Sequence, residues 1–376
     1  MGRNRRIKVK GSYAGYHITT RIHKREFLLN DHMKGFIVQK IKEISEPNLC
    51  FASVGGWAVM DNHLHVLVRF KHPDKIDPDS AIHRWNTYHP RTYQKNRLSE
   101  ENRKYVCQQL TDVSFFMKKL KTLITREYNR ITGSVGTLWE RRFRSSIVEN
   151  GKAMLLAAAY IDLNSFRASL VSRPEDYPYS SLWWLKKGNK GDLVSTEILD
   201  RYFHVSREIG ISDEQKAKLW RPEQKYRRIR RQYVKALYKK YLRFVYECGS
   251  RPPKRELIKG RTDSIMITEQ MQKRLDKNLP GPEQESPPEL QQGVGLCRRL
   301  WNFTQGKFIG SRTFARSFYT EHVNPGYTKK REARHKSKWV HGLAGGVWGV
   351  FNGSRNARQE KKEDNKGNGK GKGPPI

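Results

Sequence analysis

The chain has 376 residues, 36% hydrophobic and 30% charged, which leaves room for one or two domains with real cores plus polar appendages. No apolar run is long enough to cross a bilayer, the basic N-terminus lacks the apolar core of a signal peptide, and the four scattered cysteines (Cys50, Cys107, Cys248, Cys297) form no Cys-x-x-Cys pair, which argues against a zinc ribbon and fits a reducing cytoplasm. Lys and Arg number 74 against 37 acids, a net charge of +37 that favours a polyanionic partner, nucleic acid above all; an acidic membrane surface fits less well, because no amphipathic lipid-facing segment stands out.

Taken in order, Tyr16 to Ile22 is β-branched and alternating and reads as a first strand. Asn30 or Asp31 can cap a helix to about Ser45, with Met33, Ile37, Ile41 and Ile44 at helical spacing. Leu49 to Val59 is a second strand, interrupted at Gly55-Gly56; Asp61-Asn62 signals a tight turn; His63 to Phe70 is a third strand. Residues 71–111 are polar and read as an insertion, partly helical towards its end. Asp112 can cap a long helix to about Thr132, with a stripe of Val113, Phe116, Leu120, Ile124, Tyr128 and Ile131 turned inward. A fourth strand follows near Arg144 to Val148. The succession is βαββαβ, so the expected fold is α+β, a ferredoxin-like antiparallel sheet.

Asn150 can cap the next helix, whose apolar face is Leu155, Leu156, Ala159 and Leu163. Tyr160 and Asn164 are four apart and lie on one face of it, and Arg167 extends the row. The core is expected to end near Trp184, giving a first domain of residues 1–185. Residues 186–276 read as a basic helical extension: Lys216 to Arg243 holds twelve basic residues and one acid, interleaved with Trp220, Tyr226, Tyr233, Tyr238 and Tyr241. Such a stretch suits either a solvated helix or a nucleic-acid face with aromatic rings for unpaired bases. Residues 277–292, rich in Pro and Glu, read as a linker; 293–325 as a small strand-turn-helix segment; 326–376 as a basic disordered tail.

The chemistry centres on Met60-Asp61-Asn62-His63-Leu64-His65-Val66-Leu67-Val68. In a strand, His63 and His65 share one face while Leu64, Val66 and Val68 point into a core. Two neutral imidazoles can hold a divalent cation with open positions, and the amide oxygen of Asn164 could add a third neutral ligand. Glu140 and Asp61 are the alternative ligands if Asn164 points away. Three neutral ligands leave the metal its full charge, which suits polarising a phosphodiester. A tyrosine beside it could attack phosphorus, giving a covalent phosphotyrosine and a free 3′-hydroxyl. Arg141, Arg142, Arg144, Lys118 and Lys121 could hold phosphates, as could Arg126 and Arg167; for each, a plain surface charge is the competing reading. Trp139, Phe143 and Tyr128 are read first as packing residues.

Three stretches together resemble one family. Met60 to Val68 is similar to the metal motif of the single-tyrosine transposases of the His-hydrophobe-His (HUH) nuclease superfamily, the insertion-sequence-200-like group, close to those associated with repetitive extragenic palindromes (REP). Asn129-Arg130 through Gly136-Thr137-Leu138-Trp139-Glu140-Arg141-Arg142-Phe143 resembles a second motif, and Tyr160 to Val171 a third, with Ser165 where the family usually has Pro. The resemblance covers about residues 10–185. It implies a transposase that cleaves and rejoins single-stranded DNA at hairpin-flanked sequences, with Tyr160 as nucleophile, His63, His65 and Asn164 as ligands of Mg²⁺ or Mn²⁺, a monomer or homodimer, acting in the cytoplasm at the nucleoid. The competing expectations are a domesticated hairpin-binding protein that no longer cuts, and a replication-initiator-type nickase of the same superfamily.

Overall fold

Alternation of apolar and polar residues builds β1 (Ala14–Arg21), and the two strands that flank it give that alternation two faces to serve. The computed structural model describes residues 14–89, 99–189, 194, 196–221, 223–249, 308–310, 314, 317, 339–343 and 347–350. β1 pairs antiparallel with β3 (His63–Phe70) on one side and with β4 (Arg144–Val148) on the other, and β2 (Ala52–Val59) pairs antiparallel with β3. The order β2-β3-β1-β4 then continues through β5 (Phe308–Gly310), parallel to β4, to β7 (Val347–Val350) and β6 (Trp339–Leu343).

The expected succession of strands and helices is present. β2 is not broken at Gly55-Gly56; the pairing with β3 shifts register there and continues. The sheet is larger than the four strands read from the sequence. Three strands, β5, β6 and β7, are added to them; β5 falls within the 293–325 segment read as strand-turn-helix, while the linker 277–292 and the residues from Gly353 on lie outside the described residues. β6 and β7 fall within the span read as disordered.

One face of the sheet carries α1 (Asp31–Ile44) and α4 (Val113–Thr132), together with the inserted helices α2 (Pro78–Tyr88) and α3 (Glu100–Leu110). The Asn30 side chain caps α1 by accepting from the Met33 amide at 3.0 Å, and Asp112 caps α4 through the Ser114 and Phe115 amides at 2.7 and 3.0 Å. The stripe of α4 is buried as far as Ile124; Ile131, in its last turn, is exposed, because the helix there runs beyond the sheet.

The other face carries α5 (Lys152–Asp162). Asn150 does not cap it. Gly151 occupies that position at φ 86°, without a side-chain cap. Every α5 residue from Ala153 to Asp162 is buried. A short turn, α6 (Asn164–Arg167), follows after Leu163. Behind α5 stand α7 (Ser181–Lys186), α8 (Thr196–Phe203) and α11 (Gln224–Gly249), with α9 (Val205–Glu208) and α10 (Asp213–Lys218) between the last two. The core therefore continues past the end expected near Trp184. Tyr233, Val234, Leu237, Tyr241 and Val245 of α11 are buried in one cluster with α5. Tyr233 and Tyr241, read as candidate stacking rings, are core residues.

Candidate active site

β3 turns its side chains as the alternation requires. Leu64, Val66 and Val68 join the core under α1 and α4, and His63 and His65 face α5. Register with β1 sets Arg21 opposite His63 and Thr19 opposite His65. Tyr160, near the end of α5, meets this face from above: its ring centroid lies 6.0 Å from that of His65 and 5.8 Å from that of His17. His63, His65, Tyr160 and Asn164 line one cavity of about 220 Å³. The structure thus brings together the four residues singled out for metal and nucleophile.

Each imidazole is held by its Nδ1. His63 Nδ1 donates to Asn62 Oδ1 at 2.6 Å, and Asn62 is itself tied to the Arg25 carbonyl at 3.0 Å. His65 Nδ1 lies 2.9 Å from His17 Nε2 and 3.2 Å from Thr19 Oγ1. Both Nε2 atoms are the ends that could ligate a cation, since a hydrogen bond at the other ring nitrogen is what orients a metal-bound histidine. Burial keeps the rings neutral, as ligation requires: His17 and His63 fall to about 4, and His65 well below its ordinary value. Asn164 donates its amide nitrogen to the carbonyls of Tyr160 and Ile161 at 2.9 and 3.2 Å, which leaves the amide oxygen as the end for a cation. The donor set fits a divalent metal with two nitrogens, one oxygen and open positions. No cluster of three or more His, Cys, Asp or Glu side chains placed to hold a metal occurs among the described residues.

Of the alternative ligands, Asp61 pairs with Lys34 at 2.6 Å, while Glu140 lines the cavity. The segment after α4 is pinned along the end of β1 by His23 N–H to the Leu138 carbonyl (2.9 Å) and Glu140 N–H to the Arg21 carbonyl (3.0 Å). That pinning brings Arg141, Arg142 and Arg144 to the cavity wall beside Arg21 and Arg25. Arginines thus outnumber Glu140, the one carboxylate in that wall, and the cavity suits an anion.

The remaining expected phosphate-binding residues do not line it. Lys118 and Arg126 are exposed on α4, across the sheet. Lys121 donates to the Arg141 carbonyl at 2.9 Å and lies over the Trp139 ring. Arg167 packs over the Tyr160 ring, 5.2 Å from its centroid. Trp139 is 5% exposed and donates its indole N–H to Thr125 Oγ1 at 3.0 Å, as a packing anchor does. His17, Asn62, Arg21 and Arg25 were not singled out from the sequence. The available signal was the polar set His17, Thr19, Arg21 at every second position of β1, on the face opposite Tyr16 and Ile18.

No curated protein matches the sequence. Among solved structures, that of the REP-associated tyrosine transposase bound to a REP hairpin is similar at 17% identity over 51% of this chain and 88% of that one, with a TM-score of 0.33. Residues 11–121, which hold β1, α1, β2, β3 and the first part of α4 and therefore both His63 and His65, match the family described as Transposase IS200 like.

Proposed function

We propose that the protein is a metal-dependent transposase that cleaves and rejoins single-stranded DNA through Tyr160, on a ferredoxin-like HUH nuclease core. The observation that carries this reading is the meeting of Tyr160, His63, His65 and Asn164 in one arginine-walled cavity. The strand order β2-β3-β1-β4, with antiparallel neighbours throughout, supports the core assignment, and the family match over residues 11–121 supports transposition.

His63, His65 and Asn164 would hold Mg²⁺ or Mn²⁺, which when bound polarises the scissile phosphate. Arg21, Arg141, Arg142 and Arg144 hold the neighbouring phosphates and offset charge as it builds on phosphorus. The Tyr160 hydroxyl gives up its proton as its oxygen attacks phosphorus in line; the bond to the 3′-oxygen breaks, and that oxygen takes up a proton and leaves as a 3′-hydroxyl, so no net proton is gained or lost. The 5′-phosphate stays on Tyr160 until a 3′-hydroxyl reverses the step, so rejoining needs no outside energy. By resemblance of its motifs, the substrate is a single strand carrying hairpins.

The test is a labelled single-stranded oligonucleotide incubated with the protein and Mn²⁺. A covalent adduct forms with the wild type, is abolished by Tyr160→Phe without loss of DNA binding, and disappears with a chelator until Mg²⁺ or Mn²⁺ is restored. An adduct that persists in the Phe variant refutes the assignment of the nucleophile.

A further inference from the structure

α11 carries a second cationic surface that the cleavage site does not use. Arg227, Arg231, Lys235 and Lys239 follow one another at four-residue steps, so they share one face, with Arg228 beside them. The first four of these five in chain order, Arg227, Arg228, Arg231 and Lys235, are exposed, Lys239 is half-buried, and none has an ion-pair partner among the described residues. Other cations of the same region are matched: Lys216 with Asp200, Lys240 with Glu208, Arg243 with Glu247. The one acid in α11 is Glu247, at its far end.

This pattern works against the helix that bears it. Like charges one turn apart repel, and cations near the start of a helix oppose its dipole, with no acid in the first turn to balance them. A polyanion laid along the face relieves both. Of the rings of α11, Tyr233 and Tyr241 are buried against α5, Tyr238, on the stripe's own face, is half-buried against the same core, and Tyr226 is half-buried with Lys225 over its ring. A surface whose exposed groups are charges reads phosphates rather than bases, which suits a paired stem.

The stripe also has a fixed relation to the tyrosine. Tyr241 donates its hydroxyl to Asp162 Oδ2 at 2.6 Å, and Asp162 follows Tyr160 by two residues. Lys239, two residues before Tyr241, is on the side of α11 turned away from α5, and the stripe runs from there to Arg227 over about 18 Å, roughly five base pairs of duplex.

We propose that this face of α11 docks the paired stem of the DNA whose unpaired strand enters the cavity. This rests on the single-strand cleavage reading, and the test separates the two. Binding of a hairpin oligonucleotide and of an unpaired one of the same length is measured across a salt series, with adduct formation on the unpaired one as a parallel readout. In a variant carrying Gln at all five positions (R227Q, R228Q, R231Q, K235Q, K239Q), the slope of log affinity against log salt for the hairpin falls by about 4 to 5. Hairpin affinity drops roughly tenfold or more at physiological salt, and the adduct on the unpaired strand is unchanged. A charge-keeping variant with Lys and Arg exchanged at the same positions retains the wild-type slope. Single Gln variants, each lowering the slope by about 0.9, give the same test should the fivefold variant fold poorly. An unchanged hairpin slope overturns the proposal, as does an equal loss on the unpaired strand or a loss in the charge-keeping variant. Absence of any adduct with the wild type refutes the cleavage reading and leaves the stem measurement standing.

Discussion

His17 does for His65 what Asn62 does for His63: each occupies an Nδ1 and leaves the opposite nitrogen to the cavity. Groups that orient a metal ligand matter nearly as much as the ligand. His17→Ala is therefore expected to weaken Mn²⁺ binding by roughly 10–100-fold, read by calorimetric titration, while the thermal midpoint moves far less. His17→Gln, which can still place a polar atom towards His65, should recover part of the loss. Equal Mn²⁺ affinity in wild type and Ala variant would remove His17 from this role. His63 and His65 were legible because two histidines in an apolar run force the same-face reading. His17 was not, because a single strand histidine is ordinarily a polar residue with a satisfied hydrogen bond. Only the pairing register of β1 on β3 puts it beside His65.

At the scale of elements, α5 explains the rest of the layer. A helix apolar all round must be covered on both sides, and Lys152–Asp162 is covered by the sheet below and α11 behind. Its approach to the sheet is close: a methyl group at Gly15 would sit 2.3 Å from Met154 Cε, and one at Gly56 would sit 3.7 Å from Ala158 Cβ. Asp162, fully buried and raised to about 6 by that burial, ties the stack together. It accepts from Ser181 Oγ (2.6 Å), the Leu182 amide (3.1 Å) and the Tyr241 hydroxyl (2.6 Å). Tyr241→Phe leaves one carboxylate oxygen without its donor and should cost about 1–3 kcal/mol in denaturant unfolding. Asp162→Ala leaves the Tyr241 hydroxyl and the Leu182 amide without their acceptor, while Ser181 keeps the Trp57 carbonyl at 3.3 Å, and should cost more. A Tyr241→Phe variant as stable as wild type would show that the bond is not holding α5 to α11.

Across the whole molecule, the basic extension is part of the fold and not an appendage. Burying Tyr233, Val234, Leu237, Tyr241, Leu242, Phe244, Val245 and Tyr246 contributes on the order of 10 kcal/mol by area, comparable with the entire stability of an ordinary domain. A chain ending before Gln224 would expose the outer side of α5. It should lose cooperative thermal unfolding by calorimetry and associate through the bared surface. A truncated chain that unfolds cooperatively at the wild-type temperature would show that α11 is dispensable. Tyr233, Tyr241 and Tyr246 of α11 face inward, while Arg227, Arg228, Arg231 and Lys235 are exposed. No helix among the described residues is long and apolar enough to cross a membrane.

What the amino-acid order determined by itself is local. Strand and helix periods, a cap at Asn30 or Asp31 and another at Asp112, the same-face histidines and the one-turn spacing of Tyr160 and Asn164 all follow from periodicity and short-range hydrogen bonding, which act between neighbours in the chain. The long-range decisions belong to the tertiary structure: which tyrosines of α11 are core, where the cationic residues lie relative to the cavity, that His17 backs His65, and that β5 extends the sheet beside β4. Each of these depends on which surfaces meet across large sequence separations, and burial and register are properties of the meeting surfaces rather than of either segment alone.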